Sequence, residues 1–129
     1  MKYGFIKVAA ITPRVEVADC PHNARTIAQG MEQAYQAGAQ VVVFPELSLT
    51  GYTCGDLFLQ ESLLTGARMA LEDLVEKSKE CAGLLSFVGL PVLFEQKLYN
   101  CAAAIQDGRI LAFVPKKHLP NYSEFYEAR

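Results

Sequence analysis

Residues 41–44 read Val-Val-Val-Phe, four consecutive apolar side chains with no polar residue between them. A strand with one face in water alternates apolar and polar side chains, whereas an unbroken run suits a strand covered on both faces. Such strands sit among parallel neighbours, and parallel neighbours must be joined by long crossover connections, usually helices. The flanking sequence has the elements this requires. Phe5 to Ile11 reads as a strand, and Asn23 to Ala37 as a helix with Ile27, Met31, Ala34 and Tyr35 at helical spacing and Gly38 as its stop. Gln40 to Phe44 is the next strand, followed by a turn-rich loop from Ser48 to Gly55. A second helical period carries Leu63, Ala67, Ala70, Leu71 and Leu74, with a possible break at Thr65-Gly66. Strands are expected at Leu84–Leu90, Val92–Phe94, Leu98–Gln106 and Arg109–Val114, the last two joined by the tight-turn pair Asp107-Gly108. This order predicts a layered α/β fold that ends in a hairpin.

Composition narrows the function classes. A chain of 129 residues is one domain or part of one, and its 51% hydrophobic content is ample for a core. Twelve basic and fourteen acidic side chains give a formal charge of -2, which argues against a nucleic-acid partner. No apolar run approaches the ~18 residues of a membrane-spanning helix, and the opening MKYGFIKVAAITP reads as a first strand rather than a signal peptide. Cys20, Cys54, Cys81 and Cys101 form no C-x-x-C pair, so zinc and redox motifs are not indicated. They read as reduced thiols of a cytoplasmic protein, mostly packing groups. No glycine-rich phosphate loop is present, and no metal site is expected.

Two stretches carry chemistry. Glu46 follows Pro45 directly at the carboxyl end of the Val41–Phe44 strand, the place where open α/β sheets put their sites. A carboxylate there is costly to desolvate unless it is paired or used. It could equally cap the next turn or pair with a surface lysine. The second stretch, FVPKKHLPNYSEFYEAR, groups Lys116, Lys117, His118, Tyr122, Glu124 and Glu127 just past the last strand. If both strand ends open on one edge, a carboxylate able to take a proton meets an ammonium able to stabilise an oxyanion. Those are two parts of an acyl-transfer site that still needs a nucleophile.

The pair FPELSLTGY and VPKKHLP resembles the nitrilase, or carbon-nitrogen hydrolase, superfamily. LTGYTCGDLF, LYNCAAAIQDGRIL and PKKHLPNYSEFYEAR narrow the likeness to the amino-terminal glutaminase domains of glutamine-dependent NAD(+) synthetases. The resemblance implies a nitrilase-like four-layer αββα sandwich, of which residues 1–129 would be an amino-terminal portion. It implies a Glu-Lys-Cys site with Glu46 as general base and Lys116 as the oxyanion-holding lysine. Glu124 is matched to a supporting glutamate, with Glu127 as the alternative, while Tyr52 and Tyr122 fall where a glutamine pocket is lined. It further implies glutamine as substrate, a cytoplasmic homo-oligomer, and partnership with a synthetase domain of the same chain that takes ATP and Mg2+. The glutaminase domain itself would need no cofactor, and no nucleic acid or membrane would be involved.

The sequence departs from this pattern at the nucleophile. The family's cysteine lies on a strand well after the lysine, and none of the four cysteines matches it. Cys54, eight residues after Glu46, is a loop thiol near a base, but it stands where the family carries a variable residue. The 129 residues are therefore expected to be inactive alone. Two other readings keep the same residues: a different amidase of the superfamily, or a folded assembly module without catalysis.

Overall fold

The computed structural model describes residues 4–52 and 60–117. Five strands form one mixed sheet in sequence order: β1 (Val8–Ala10), β2 (Val41–Val43), β3 (Leu85–Phe94), β4 (Lys97–Gln106) and β5 (Arg109–Pro115). β1, β2 and β3 run parallel, and β3, β4 and β5 are joined antiparallel. β5 therefore points the same way as β2. The crossovers carry two helices, α1 (Cys20–Gln36) and α2 (Glu61–Ser78), which pack on each other and on the sheet.

Both helices end up on one face. Their buried stripes, Ile27, Met31 and Ala34 on α1 and Leu63, Ala67, Leu71 and Leu74 on α2, meet Val42, Val88, Leu90 and Ile105 of the sheet in a single core. The opposite face is open among the described residues. Val42 is fully buried, whereas its neighbour Val43 is 45% exposed, and Val8 and Val114 on that face are exposed too. The unbroken Val-Val-Val-Phe run thus has a helix-covered side and an apolar side that the described residues leave uncovered. These are two layers, one α and one β, of the four expected.

Local chemistry explains the element ends. Asp19 caps α1, its Oδ1 accepting from the His22 N–H at 3.1 Å, and Pro21 occupies the first turn, where a missing N–H is harmless. The helix starts three residues before the expected Asn23. Gly38, at φ +82°, closes it as expected. Gly66 does not break α2, which runs unbroken from Glu61 to Ser78, and a Cβ there would make only an ordinary contact, 3.6 Å from the Cys20 Sγ. The first strand is shorter than expected, three residues rather than seven. The two short strands expected at 84–94 are one, because Pro91 lies beyond Phe87, the last β3 residue paired with β2. Asp107 and Gly108 both adopt positive φ, the type I′ signature of a two-residue hairpin. Glu95 and Gln96 do the same at the β3–β4 turn without any glycine or asparagine, so no turn residue marks it in the sequence.

Asn23 ties the start of α1 to the loop after β2. Fully buried, it accepts from the Glu16 N–H at 2.8 Å and donates to the carbonyls of Glu16 at 2.8 Å and Leu49 at 3.0 Å. Asn23→Ala leaves those backbone groups without their partner and should cost about 2–3 kcal/mol. Urea denaturation beside the wild type measures it, and a loss below about 0.5 kcal/mol would mean water replaces the side chain freely.

On the outer surface Lys77 meets Glu32 at 3.0 Å, linking α2 to α1. The hydrogen bond and charge of Lys77 lower the Glu32 carboxyl, and the bond to Glu32 raises Lys77. A lowered carboxylate contributes stability above its unfolded value and loses it as pH falls through the folded one. A raised ammonium contributes below its ordinary value and loses it at higher pH. The stability difference between wild type and Lys77→Ala should therefore be small but constant from about pH 5 to pH 10 and vanish under acid. Denaturation midpoints across that range test it, and a difference that persists at pH 2 would contradict the pairing.

Candidate active site

β2 ends at Val43, and the Phe44 N–H makes one more ladder bond, to the Phe87 carbonyl at 3.0 Å. The Phe44 ring then turns toward α1, where Gly30 leaves room: a Cβ on Gly30 would lie 2.8 Å from the ring. Pro45 ends the pairing, and the chain folds into a tight turn. Ser48 N–H donates to the Pro45 carbonyl at 3.2 Å, and Thr50 and Gly51 N–H donate to Leu47 O at 3.2 and 2.8 Å. Leu47 takes φ +52°, a left-handed conformation that a leucine enters at a cost, with its side chain buried in the core. Ser48, Leu49 and Thr50 are buried as well, so Glu46 is the exposed residue on a turn otherwise anchored inward.

The strand register decides which face the turn occupies. Along β3, Ser86, Val88 and Leu90 are buried toward the helices. Gly89, between them, points the other way, because successive residues alternate. The Pro45–Leu47 backbone lies directly over Gly89. Gly89 pairs with Ala102, and Ala102 with Val114, so all three lie in one row on the open face. Lys116, two residues past Val114, projects from that face too. Its N–H bonds to the Asn100 carbonyl at 2.8 Å, which extends the β4–β5 ladder and fixes its direction. Glu46 from one strand end and Lys116 from another meet there, with Lys116 Nζ 2.7 Å from Glu46 Oε1. The pair is partly exposed, at 36% for the Glu46 side chain and 28% for that of Lys116. Lys117 is exposed.

The other expected site residues divide into two groups. Tyr52 is partly buried and packs against the core cluster at the end of the described loop. Glu124, Glu127, Tyr122, His118 and Cys54 lie outside the described residues. Cys20, Cys81 and Cys101 are buried. Burial pushes the Cys81 and Cys101 thiols up, away from the nucleophilic thiolate. Cys101 also pairs with Leu90, in the row that faces the helices, so it lies across the sheet from Glu46. No group of three potential metal ligands occurs among the described residues, and no described helix is long and apolar enough to cross a membrane. A groove of about 610 Å³ between α2 and the β3–β4 hairpin, lined by Leu64, Arg68, Leu93 and Lys97 among others, includes neither Glu46 nor Lys116.

Sequence reasoning passed over Gly89 and Ser48. The signal was present, since an isolated glycine in the apolar run Phe87-Val88-Gly89-Leu90 marks a strand that another backbone approaches.

The chain is similar to a glutamine-dependent NAD(+) synthetase from Mycobacterium bovis, 41% identical over 128 residues that cover 99% of this chain and 19% of the relative. One from Mycobacterium leprae is 37% identical over 126 residues, 98% of this chain and 18% of the relative. Among solved structures, a glutamine-dependent NAD(+) synthetase from Cytophaga hutchinsonii superposes with a TM-score of 0.79 at 28% identity, covering 90% of this chain and 20% of that one. A mutant amidase of the nitrilase superfamily from Nesterenkonia shares the fold, with a TM-score of 0.77 at 22% identity over 93% of this chain and 45% of that one. The chain thus spans about one fifth of the length of the curated synthetases it matches. With a carboxylate and an ammonium meeting over the open sheet face, and with residues 7–128 matching the model of that family, the chain belongs to the carbon-nitrogen hydrolases.

Proposed function

We propose that this chain supplies the general base and the oxyanion-holding lysine of a site that hydrolyses the side-chain amide of glutamine. The observation that carries the reading is the 2.7 Å approach of Lys116 to Glu46 on the open sheet face. The 41% identity to a protein named as a glutamine-dependent NAD(+) synthetase selects glutamine over other amides. The nucleophile is a cysteine of a longer protein. Its sulfur attacks the carboxamide carbon and the carbonyl π electrons move to oxygen, where the Lys116 ammonium stabilises the charge. Glu46 takes the thiol proton and returns it to the departing nitrogen as the C–N bond breaks and ammonia leaves. Water then attacks the thioester, Glu46 takes its proton, the C–S bond breaks, and glutamate and the thiol are regenerated. Tyr52 and Tyr122 would line the glutamine pocket, and Glu124 would support the base.

In the whole protein the ammonia would pass to a synthetase domain that uses ATP and Mg2+ to convert nicotinic acid adenine dinucleotide to NAD(+). Such an assembly would be a cytoplasmic homo-oligomer with no nucleic-acid or membrane partner.

Ammonia release from glutamine by the full-length protein tests the assignment. Lys116→Ala should lower kcat by about 10²-fold or more, because an ammonium aimed at an oxyanion acts mainly in the transition state. Lys117→Ala should change little, because its charge is solvated. Equal losses would shift the register by one residue, and loss in neither would remove the lysine from the chemistry. Acetamide turned over in place of glutamine would point instead to another amidase of the family.

The isolated 129-residue chain should release no ammonia, and adding Cys54→Ala should leave that unchanged. Robust release that disappears with this substitution would make Cys54 the nucleophile.

A further inference from the structure

Gly89 is the one residue of β3 that the structure requires to lack a side chain. A Cβ built there would collide with the Leu47 backbone nitrogen and stand 2.7 Å from the Pro45 carbonyl oxygen and 3.0 Å from the Glu46 carbonyl carbon. All three are main-chain atoms, so none can swing aside as a flexible side chain could. Gly89 is not among the residues with positive φ, so its backbone does not call for glycine. A glycine within a strand weakens it, and the sheet accepts that only where another backbone must come close. Here the backbone that comes close carries Glu46.

We propose that Gly89 is a positioning residue for the reaction: the space left by its missing side chain lets the Pro45–Leu47 turn hold the Glu46 carboxylate over the open face, within reach of Lys116. The proposal rests on the amide-hydrolysing reading for its kinetic consequence, but not for its geometry.

Three further contacts support the seat. The Leu49 N–H donates to the Gly89 carbonyl at 3.0 Å, and the Gly89 N–H donates to the Ser48 hydroxyl at 3.3 Å, so the turn is laced to both polar groups of this one residue. Ser48 is buried and carries no exposed function of its own. From the far side, the Leu47 side chain is anchored in the core, so the turn cannot rise from the sheet without pulling a leucine into water. The row then continues through Ala102, another small residue, towards β5 and Lys116. Glycine and alanine thus keep the surface between the two charged groups low.

A methyl group at position 89 would lift the turn and carry Glu46 with it. A base must lie within hydrogen-bond reach of the proton it moves, and displacement by about 1 Å can cost about 10²-fold. The test uses the full-length protein with Gly89→Ala and Ser48→Ala. For Gly89→Ala, kcat for glutamine should fall about 10²-fold with KM within a factor of about two. Its crystal structure should show the Glu46–Lys116 pair opened while the strand ladder is kept. A wild-type kcat, or a pair still at its present 2.7 Å, would overturn the proposal. Should Gly89→Ala fail to fold, Ser48→Ala decides, since it removes a hydroxyl and adds no bulk. It should lower kcat about fivefold to tenfold at unchanged KM, and an unchanged kcat would overturn the proposal. A wild-type protein that leaves glutamine intact would defeat the functional reading alone. The pair's separation in the variant crystals, Ser48→Ala included, would then judge the seat by itself.

Discussion

The turn from Pro45 to Leu47 rests on the backbone of β3, and most of the site geometry follows from that contact. β2 and β5 are separated by two strands, a gap of about 14 Å from strand spacing. Side chains at the two strand ends would not meet unless one chain crossed the sheet surface. The turn does so, because Gly89 offers no obstacle and the Gly89 carbonyl and N–H both hold it. What keeps it there is buried: Leu47 in the core, Thr50 hydrogen-bonded within the loop, and Asn23 reaching from α1 to the Leu49 carbonyl. A single exposed carboxylate is thus carried by residues that are almost entirely inside.

This arrangement explains why the ion pair need not be its own support. Glu46 and Lys116 are partly open to water, and pairs of that kind contribute about 1 kcal/mol or less. Their attraction could not bend a turn over a sheet or hold Leu47 at positive φ. The backbone supplies the geometry and the charges occupy it, which is the order preorganised electrostatics needs. The apolar side chains of the same face, Val43 and Val114, are exposed among the described residues. A second sheet packed there, as in the four-layer sandwich of the family, would remove water from around the pair and strengthen its field.

Much of the fold was legible in the sequence. Ile27, Met31 and Ala34 form the buried stripe of α1 as expected, though Tyr35 is exposed, and Gly38 and Asp107-Gly108 appear where a helix stop and a tight turn were expected. What misled was local context. Thr65-Gly66 suggests a break because glycine is a poor helix former, but α2 continues through it, its stripe Leu63, Ala67, Ala70, Leu71 and Leu74 buried on both sides. Pro91 looked like a strand boundary, but β3 has passed its β2 partner by then. The Glu95-Gln96 turn had no composition signal at all.

The sequence alone determined the elements, their order and the two charged groups at strand ends, because periodicity, caps and turn residues act over a few neighbours. It also pointed to the family through FPELSLTGY and VPKKHLP. Only the tertiary structure decided that Glu46 and Lys116 share a face, that Cys101 lies across the sheet from them, and that both helices pack on one side. The first two depend on strand register, where a shift of one residue would send every side chain to the opposite face, and the third on two crossovers of one hand advancing the same way across the sheet. Gly89 belongs to both: its presence in an apolar run was visible, but its purpose required seeing which backbone lay above it.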